Sequence, residues 1–185
     1  MNYMILVDPQ NEFFSGKFKN EEALRILPNI CKAIENHNGP IIATKDSHTG
    51  SKYEKSVELN TFGDHCIIDT WGWNFPEDVQ NSLNLQGHYY GWIAKNSFGS
   101  MDLVNTIKDA EKLFLTHGGS DAPSFTIIGL DTDICVVSNA LILRSAFPES
   151  VITVYSDCCA GSTPENHLAA LAVMRSCCID VKQLF

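Results

Sequence analysis

The sequence predicts an α/β fold, a three-layer αβα sandwich in which helices cover both faces of a six-stranded parallel, Rossmann-like sheet. Short, nearly continuous apolar runs alternate with stretches of helical periodicity. Apolar runs without polar alternation are typical of strands buried on both faces of a parallel sheet. The chain has 185 residues, of which 44% are hydrophobic, so we expect a single domain over residues 1–185.

The predicted elements alternate along the chain. The strands cover Tyr3–Val7, Pro40–Thr44, Trp92–Ala94, Phe125–Leu130, Val151–Tyr155 and Ile179–Leu184. Apolar residues at helical spacing predict helices over Pro28–Asn36, Asp102–His117, Ile134–Ala146 and Pro164–Arg175.

Three further predictions concern the segments between and beside these elements. Asn20–Leu27 should form a separate turn, because a proline at position 28 interrupts a helix. The pair Gly118-Gly119 should end the preceding helix. Lys45–Gly91 has the features of one long loop, and loops of that length in a compact domain are usually functional.

Composition narrows the function classes. The net charge is −9 and the basic residues are scattered, which disfavours nucleic-acid binding. No apolar run approaches the roughly 18 residues of a membrane span, and the N-terminus lacks the basic region of a signal peptide, so we expect a cytoplasmic protein. The seven cysteines are odd in number and contain no CxxC, which predicts reduced thiols.

Three reactive side chains follow predicted strands. Asp8 and Lys95 end the runs MILVD and GWIAK, and Cys135 lies where a helix begins. Each alone is equally compatible with a cap, a surface charge or a core residue, but the carboxyl ends of parallel strands meet at one edge of a sheet. A helix N-terminus and a lysine favour a thiolate, a carboxylate can accept its proton, and free N–H groups of the first turn can bind an oxyanion. Together these residues predict a cysteine nucleophile.

A second group lies in the long loop region. Asp46 and His48 follow a strand, His65 comes later, and Glu58 precedes it by seven residues. Carboxylates and imidazoles bind zinc, iron and manganese alike, and both residue types are also frequent in loops without a metal.

These segments together resemble the isochorismatase-like cysteine hydrolases, and among them the nicotinamidases (pyrazinamidases) most closely. The resemblance runs in order from Met4 to the C-terminus through ILVDPQNEFF, ATKDSHTG, TFGDHC, AKNSFGSMDL, GLDTDICVVSNAL and YSDCCAGSTPENHLAALAVM. The most specific motif is Gly-x-x-Thr-Asp-x-Cys-Val.

The resemblance implies roles for individual residues. Asp8, Lys95 and Cys135 would be catalytic, and the oxyanion would be bound by the N–H groups of Asp131 and Cys135. A cis peptide bond is implied between Leu130 and Asp131.

Further implied residues bind the metal and the substrate. The resemblance implies Asp46, His48 and His65 as metal ligands and Phe13 and Phe62 as substrate contacts. Where the chain departs from the family pattern, we add Glu58 as a candidate for a further metal ligand and Trp71 as a candidate for a further substrate contact. After the last metal histidine, however, the family usually continues with Gly-Thr-x-Gly, whereas this chain has CIIDTWGWNF.

The implied protein is an amidohydrolase that acts on a small carboxamide and forms homo-oligomers. It would convert nicotinamide to nicotinate and ammonia through a cysteine thioester, with a divalent metal, zinc in preference to iron or manganese. Two alternatives remain open at this point: a related hydrolase of another small amide, a carbamoyl compound or isochorismate, and an inactive binding protein on the same fold.

Overall fold

Six strands form one parallel sheet in the computed structural model, which describes residues 1–117, 119 and 122–185. The strands are β1 (Asn2–Val7), β2 (Ile41–Asp46), β3 (Tyr89–Lys95), β4 (Ser124–Leu130), β5 (Ile152–Ala160) and β6 (Asp180–Lys182). Their order is β3-β2-β1-β4-β5-β6, and neighbouring strands pair in parallel. The predicted sheet is confirmed. The strand order changes direction between β1 and β4. Open parallel sheets bind ligands at such a point, beyond the carboxyl ends of the strands.

Helices cover both faces of the sheet. They are α1 (Asn11–Phe14), α2 (Glu21–Asn36), α3 (Val57–Phe62), α4 (Glu77–Asn84), α5 (Met101–Thr116), α6 (Val137–Ala146) and α7 (Pro164–Ser176). Alternate side chains of β1 enter two separate cores: Ile5 packs with the cluster that includes α5, α6 and α7, while Leu6 packs with the cluster that includes α2 and α4. Among the described helices, none combines the length and the apolar character that crossing a membrane requires.

The predicted break at Pro28 is wrong, because α2 runs through it. The side chain of Asn20 caps this helix by accepting a hydrogen bond from the Ala23 N–H at 2.6 Å. Ala23 on one side of the proline and Ile30 and Ile34 on the other are all buried. Burial of one continuous apolar face therefore outweighs the roughly 3 kcal/mol that an internal proline costs.

The prediction of one long loop over Lys45–Gly91 is also wrong in part, since α3, α4 and the ends of two strands lie within it. Strand β2 continues through Lys45, whose ammonium lies 3.6 Å from the ring centre of Trp73 and 4.9 Å from that of Trp92. Cation–π contacts of this kind allow a lysine to be buried at a strand end without an ion pair. Of the predicted Gly118-Gly119 helix stop, Gly118 lies outside the described residues.

The edge strand β3 departs from the prediction that every strand is buried on both faces. Its side chains alternate between half-buried and exposed from Tyr89 to Ala94, because only β2 lies beside it. All seven cysteines are free thiols, in agreement with the sequence.

Gly129 brings the ends of β1 and β4 together. It has a φ of +127°, and a Cβ built there would lie 2.1 Å from the Val7 carbonyl oxygen. A side chain would therefore push apart the two strands that lead to Asp8 and Asp131.

Replacement of Gly129 by alanine is expected to lower the free energy of unfolding by about 3 kcal/mol, through backbone strain and collision with β1. The matched control is Gly87→Ala, since a Cβ at Gly87 meets no atom within 4 Å; it should stay within about 0.5 kcal/mol of wild type. Urea denaturation of the three proteins measures both values. Equal stability of the two variants would contradict the close approach at Gly129.

Candidate active site

Four neighbouring strands deliver the predicted site residues to one edge of the sheet. Asp8 follows β1, Asp46 ends β2, Lys95 ends β3, and Asp131 follows β4. Asp46 and Lys95 are paired in the register of β2 and β3. The amide of Gln10 secures this edge, because it accepts a hydrogen bond from the Asp46 N–H (2.7 Å) and donates one to the Asp46 carbonyl (2.9 Å).

A buried ion pair between Lys95 and Asp8 lies against the thiol of Cys135. Lys95 Nζ lies 2.7 Å from Asp8 Oδ2 and 3.4 Å from Cys135 Sγ. Thr44 Oγ1 donates a 2.6 Å hydrogen bond to the other oxygen of Asp8. Asp8, Lys95 and Cys135 are all at least nine-tenths buried. The structure thus juxtaposes a carboxylate, an ammonium and a thiol.

Burial of the Cys135 thiol outweighs the effect by which Lys95, as expected, favours the thiolate. Burial raises the pKa of the Cys135 thiol well above its ordinary value, with Asp8 and Asp46 adding to the rise and Lys95 opposing it. Burial likewise raises the pKa of the Asp8 carboxyl against the opposing Lys95 charge. Although burial alone would lower the pKa of Lys95, the three groups Asp8, Cys135 and Asp46 hold it well above its usual range. The thiol therefore needs a base.

Cys135 lies in a π-helical turn, Thr132–Val136, that precedes α6; the sequence predicted the helix to begin at Ile134. The peptide bond between Leu130 and Asp131 is cis, as the resemblance implied. The Asp131 carbonyl accepts hydrogen bonds from the N–H groups of Ile134 (3.1 Å) and Val136 (3.0 Å). This turn fixes the backbone on either side of the thiol.

Asn139 anchors the turn to the rest of the fold. Its amide donates a 2.8 Å hydrogen bond to the Cys135 carbonyl, and its oxygen accepts one from the Ser100 N–H at 3.0 Å. Asn139 is fully buried. The start of α5 and the turn that carries the thiol are therefore held together.

The four predicted metal ligands form one buried cluster. Ligand atoms of Asp46, His48, Glu58 and His65 all lie within 4.8 Å of one another. His65 Nε2 lies 3.1 Å from Asp46 Oδ2 and 3.5 Å from Glu58 Oε1, and His48 Nε2 lies 3.3 Å from Asp46 Oδ1. His48 Nε2 and Asp46 Oδ1 are buried and make no hydrogen bond of acceptable geometry with the described residues.

This donor set fits a divalent cation. Two imidazoles and two carboxylates suit zinc, iron or manganese. A bound cation would also provide a partner for His48 Nε2 and Asp46 Oδ1, which lack a hydrogen bond. Burial alone would lower the pKa of His65, but its contacts with Asp46 and Glu58 raise that pKa to about 10. The cluster thus favours positive charge at its centre.

The sequence missed the residue that orients His48. Glu54 Oε1 lies 3.0 Å from His48 Nδ1, and Glu54 Oε2 accepts a 2.9 Å hydrogen bond from the Thr49 N–H. A carboxylate on the second ring nitrogen turns the first nitrogen toward a metal. Glu54 is one acid in a polar loop, and only a search for carboxylates near His48 could have found it.

A cavity of about 290 Å³ opens beside these groups. Its aromatic wall contains the predicted Phe13 and Phe62 and two residues that the sequence missed, Phe18 and Phe98. Trp71 is not among the described residues that line it, and it is 60% exposed. The remaining lining residues are Lys19, Asn20, Asp46, Glu58, His65, Asp131, Ile134, Cys135 and Ser162.

Comparison with known proteins agrees with this geometry. A family model described as the isochorismatase domain matches residues 2–183. No curated protein matches the chain significantly.

Three solved structures illustrate the shared fold. The nicotinamidase/pyrazinamidase PncA from Bacillus subtilis is 19% identical with a TM-score of 0.81, covering 98% of this chain and 99% of its own. The pyrazinamidase of Pyrococcus horikoshii in complex with zinc is 22% identical with a TM-score of 0.73, covering 99% of each chain. N-carbamoylsarcosine amidase from Thermoplasma acidophilum is 20% identical with a TM-score of 0.75, covering 98% of this chain and 95% of its own. With the family model spanning nearly its whole length, the chain belongs to the isochorismatase family and has the isochorismatase-like hydrolase fold.

Proposed function

We propose that this protein is a metal-dependent cysteine amidohydrolase that converts nicotinamide to nicotinate and ammonia. The observation that carries this proposal is the buried contact of Lys95 with both Asp8 and Cys135, because Cys135 lines a cavity that three members of the candidate metal cluster also line, namely Asp46, Glu58 and His65. The family match and the fold of known amide hydrolases support hydrolysis of an amide bond.

The first step forms the carbon–sulfur bond. Asp8 removes the proton of the Cys135 thiol, which burial keeps protonated at rest. Lys95 stabilises the negative charge as it moves from the carboxylate to sulfur. Sulfur then attacks the amide carbonyl, and the N–H groups of Asp131 and Cys135 bind the resulting oxyanion.

The second step breaks the carbon–nitrogen bond. As the oxyanion collapses, the protonated Asp8 gives its proton to the leaving nitrogen, and ammonia departs from a thioester on Cys135.

The third step hydrolyses this thioester. Asp8 takes a proton from water, whose oxygen attacks the thioester carbonyl. Nicotinate leaves and the thiol recovers a proton from Asp8, so the carboxylate is restored.

Asp46, His48, Glu58 and His65 would hold the divalent cation, for which we propose zinc. A cation bound there supplies a Lewis acid able to take the lone pair of a pyridine nitrogen, and so positions the substrate. Phe13 and Phe62 pack against a flat ring in the cavity. Hydrolysis of nicotinamide would place the protein in NAD salvage.

Another small amide or carbamoyl compound is the second candidate substrate. The same fold occurs in N-carbamoylsarcosine amidase, and the segment after His65 departs from the Gly-Thr-x-Gly pattern. A panel of small amides offered to the same purified protein separates the two candidates.

The proposed chemistry predicts that Cys135→Ala lowers ammonia release from nicotinamide by roughly 10⁴-fold or more, because no other group replaces the nucleophile. Ammonia release by the metal-loaded protein is the measurement. Cys158→Ala is the matched control, since Cys158 is an equally buried thiol that packs in the core on β5. Retained turnover in Cys135→Ala, or equal loss in both variants, would refute the assigned nucleophile.

The metal cluster predicts that Glu58→Gln weakens zinc binding by more than the roughly 10–100-fold typical of residues outside the ligand set. Competition with a chromogenic chelator measures the affinity. Glu77→Gln removes an equal charge from an exposed position on α4 and should bind zinc like wild type. Unchanged affinity in Glu58→Gln would remove Glu58 from the ligands.

A further inference from the structure

The carboxyl group of Asp131 has no partner in the described part of the protein. The residue is 8% exposed and lines the cavity beside Cys135, and its Oδ1 is buried without a hydrogen bond. The two other acids of the cavity wall, Asp46 and Glu58, both contact His65. Asp131 is thus the cavity acid that contacts neither a histidine nor a lysine within the described residues.

The polar neighbours in the cavity wall are occupied elsewhere or exposed. Ser162 donates its hydroxyl and its N–H to Asp133, and Asn20 donates its amide to the Gly161 carbonyl. Lys19 is exposed at the rim. An unsatisfied buried acceptor is costly, and the phenylalanines of the wall offer it no strong donor.

The position of this carboxyl beside the reacting carbonyl indicates which ligand group would satisfy it. If the Asp131 N–H binds the oxyanion as proposed, the carboxyl of the same residue lies next to the scissile amide. A negative charge there would oppose the oxyanion by like-charge repulsion, and burial raises the Asp131 pKa to about 7. A donor from the substrate would both pair Oδ1 and reduce that repulsion.

We propose that Asp131 Oδ1 is a specificity-determining acceptor for an N–H donor that the substrate carries next to its scissile carboxamide. This inference rests on the proposed function, because it assigns a substrate class to the same site. The class is a small aromatic carboxamide with an amino group adjacent to the amide, of which nicotinamide is the unsubstituted parent.

Calorimetric titration tests the inference without turnover, in metal-loaded Cys135→Ala protein. The probes are 2-aminonicotinamide and 2-methylnicotinamide, which have substituents of similar size but differ in hydrogen-bond donors. We expect the amino compound to bind about tenfold tighter, as one hydrogen bond to a charged group would produce. In the Cys135→Ala protein that also carries Asp131→Ala, the affinities for the two probes should differ by no more than about twofold.

Asp133→Ala is the matched control, since it removes an acid from the same turn whose carboxylate is already paired with Ser162; the preference should persist there. Equal binding of the two probes, binding of neither, or a preference that survives Asp131→Ala would overturn the inference. If circular dichroism shows that Asp131→Ala does not fold, Asp131→Leu replaces it, because leucine has a similar size and no acceptor, and an undiminished preference overturns the inference.

Ammonia release from nicotinamide by the wild-type protein is measured separately. Ammonia release without a preference for the amino probe would support the proposed function and overturn the inference about Asp131. An Asp131-dependent preference for the amino probe without hydrolysis of nicotinamide would support the inferred acceptor and contradict the proposed reaction.

Discussion

The ion pair between Lys95 and Asp8 is the interaction on which the rest of the site depends. Both charges are almost fully removed from water, and a buried charge is tolerated only when it is paired and hydrogen-bonded. Lys95 Nζ lies 2.7 Å from Asp8, and Thr44 donates to the free oxygen of that carboxylate. The pair joins the ends of β1 and β3 across β2. The geometry of the site therefore depends on the order of the strands in the sheet.

Lys95 also connects the two functional clusters. Its ammonium lies 3.4 Å from the Cys135 sulfur and 3.5 Å from Asp46, which belongs to the cluster that could hold a metal ion. One cation therefore faces two carboxylates and a thiol in a region of low dielectric. A divalent ion among Asp46, His48, Glu58 and His65 would add the positive charge that this excess of acids favours.

The sequence predicted the parts of the site that depend on strand ends. Asp8, Lys95 and Cys135 were predictable because parallel strands deliver their carboxyl ends to one edge, whatever the details of packing. Asp46 and His48 follow from the same rule. Glu58 and His65 reach the cluster through α3 and the segment after it. Residue type made both of them candidate ligands, but the same residue types are frequent in loops without a metal, and the family resemblance added support only for His65.

Features set by tertiary packing could not be predicted from sequence. Helix α2 continues through Pro28 because its apolar face is buried on both sides of the proline, and local propensity contains no information about that burial. Glu54 acts through a contact with His48 that no motif encodes. Trp71 is 60% exposed and lies outside the described lining of the cavity, and the sequence contains no signal for the loop conformation that sets this exposure.

The most direct test of the account asks whether the acyl group passes through Cys135. Purified metal-loaded protein is given nicotinamide and increasing hydroxylamine, which intercepts a thioester, and both acyl products are quantified against ammonia. If a thioester forms on Cys135, nicotinohydroxamate replaces nicotinate as the hydroxylamine concentration rises, while ammonia release continues. Ammonia release matched by nicotinate alone at every hydroxylamine concentration would contradict a covalent intermediate and indicate direct attack by water.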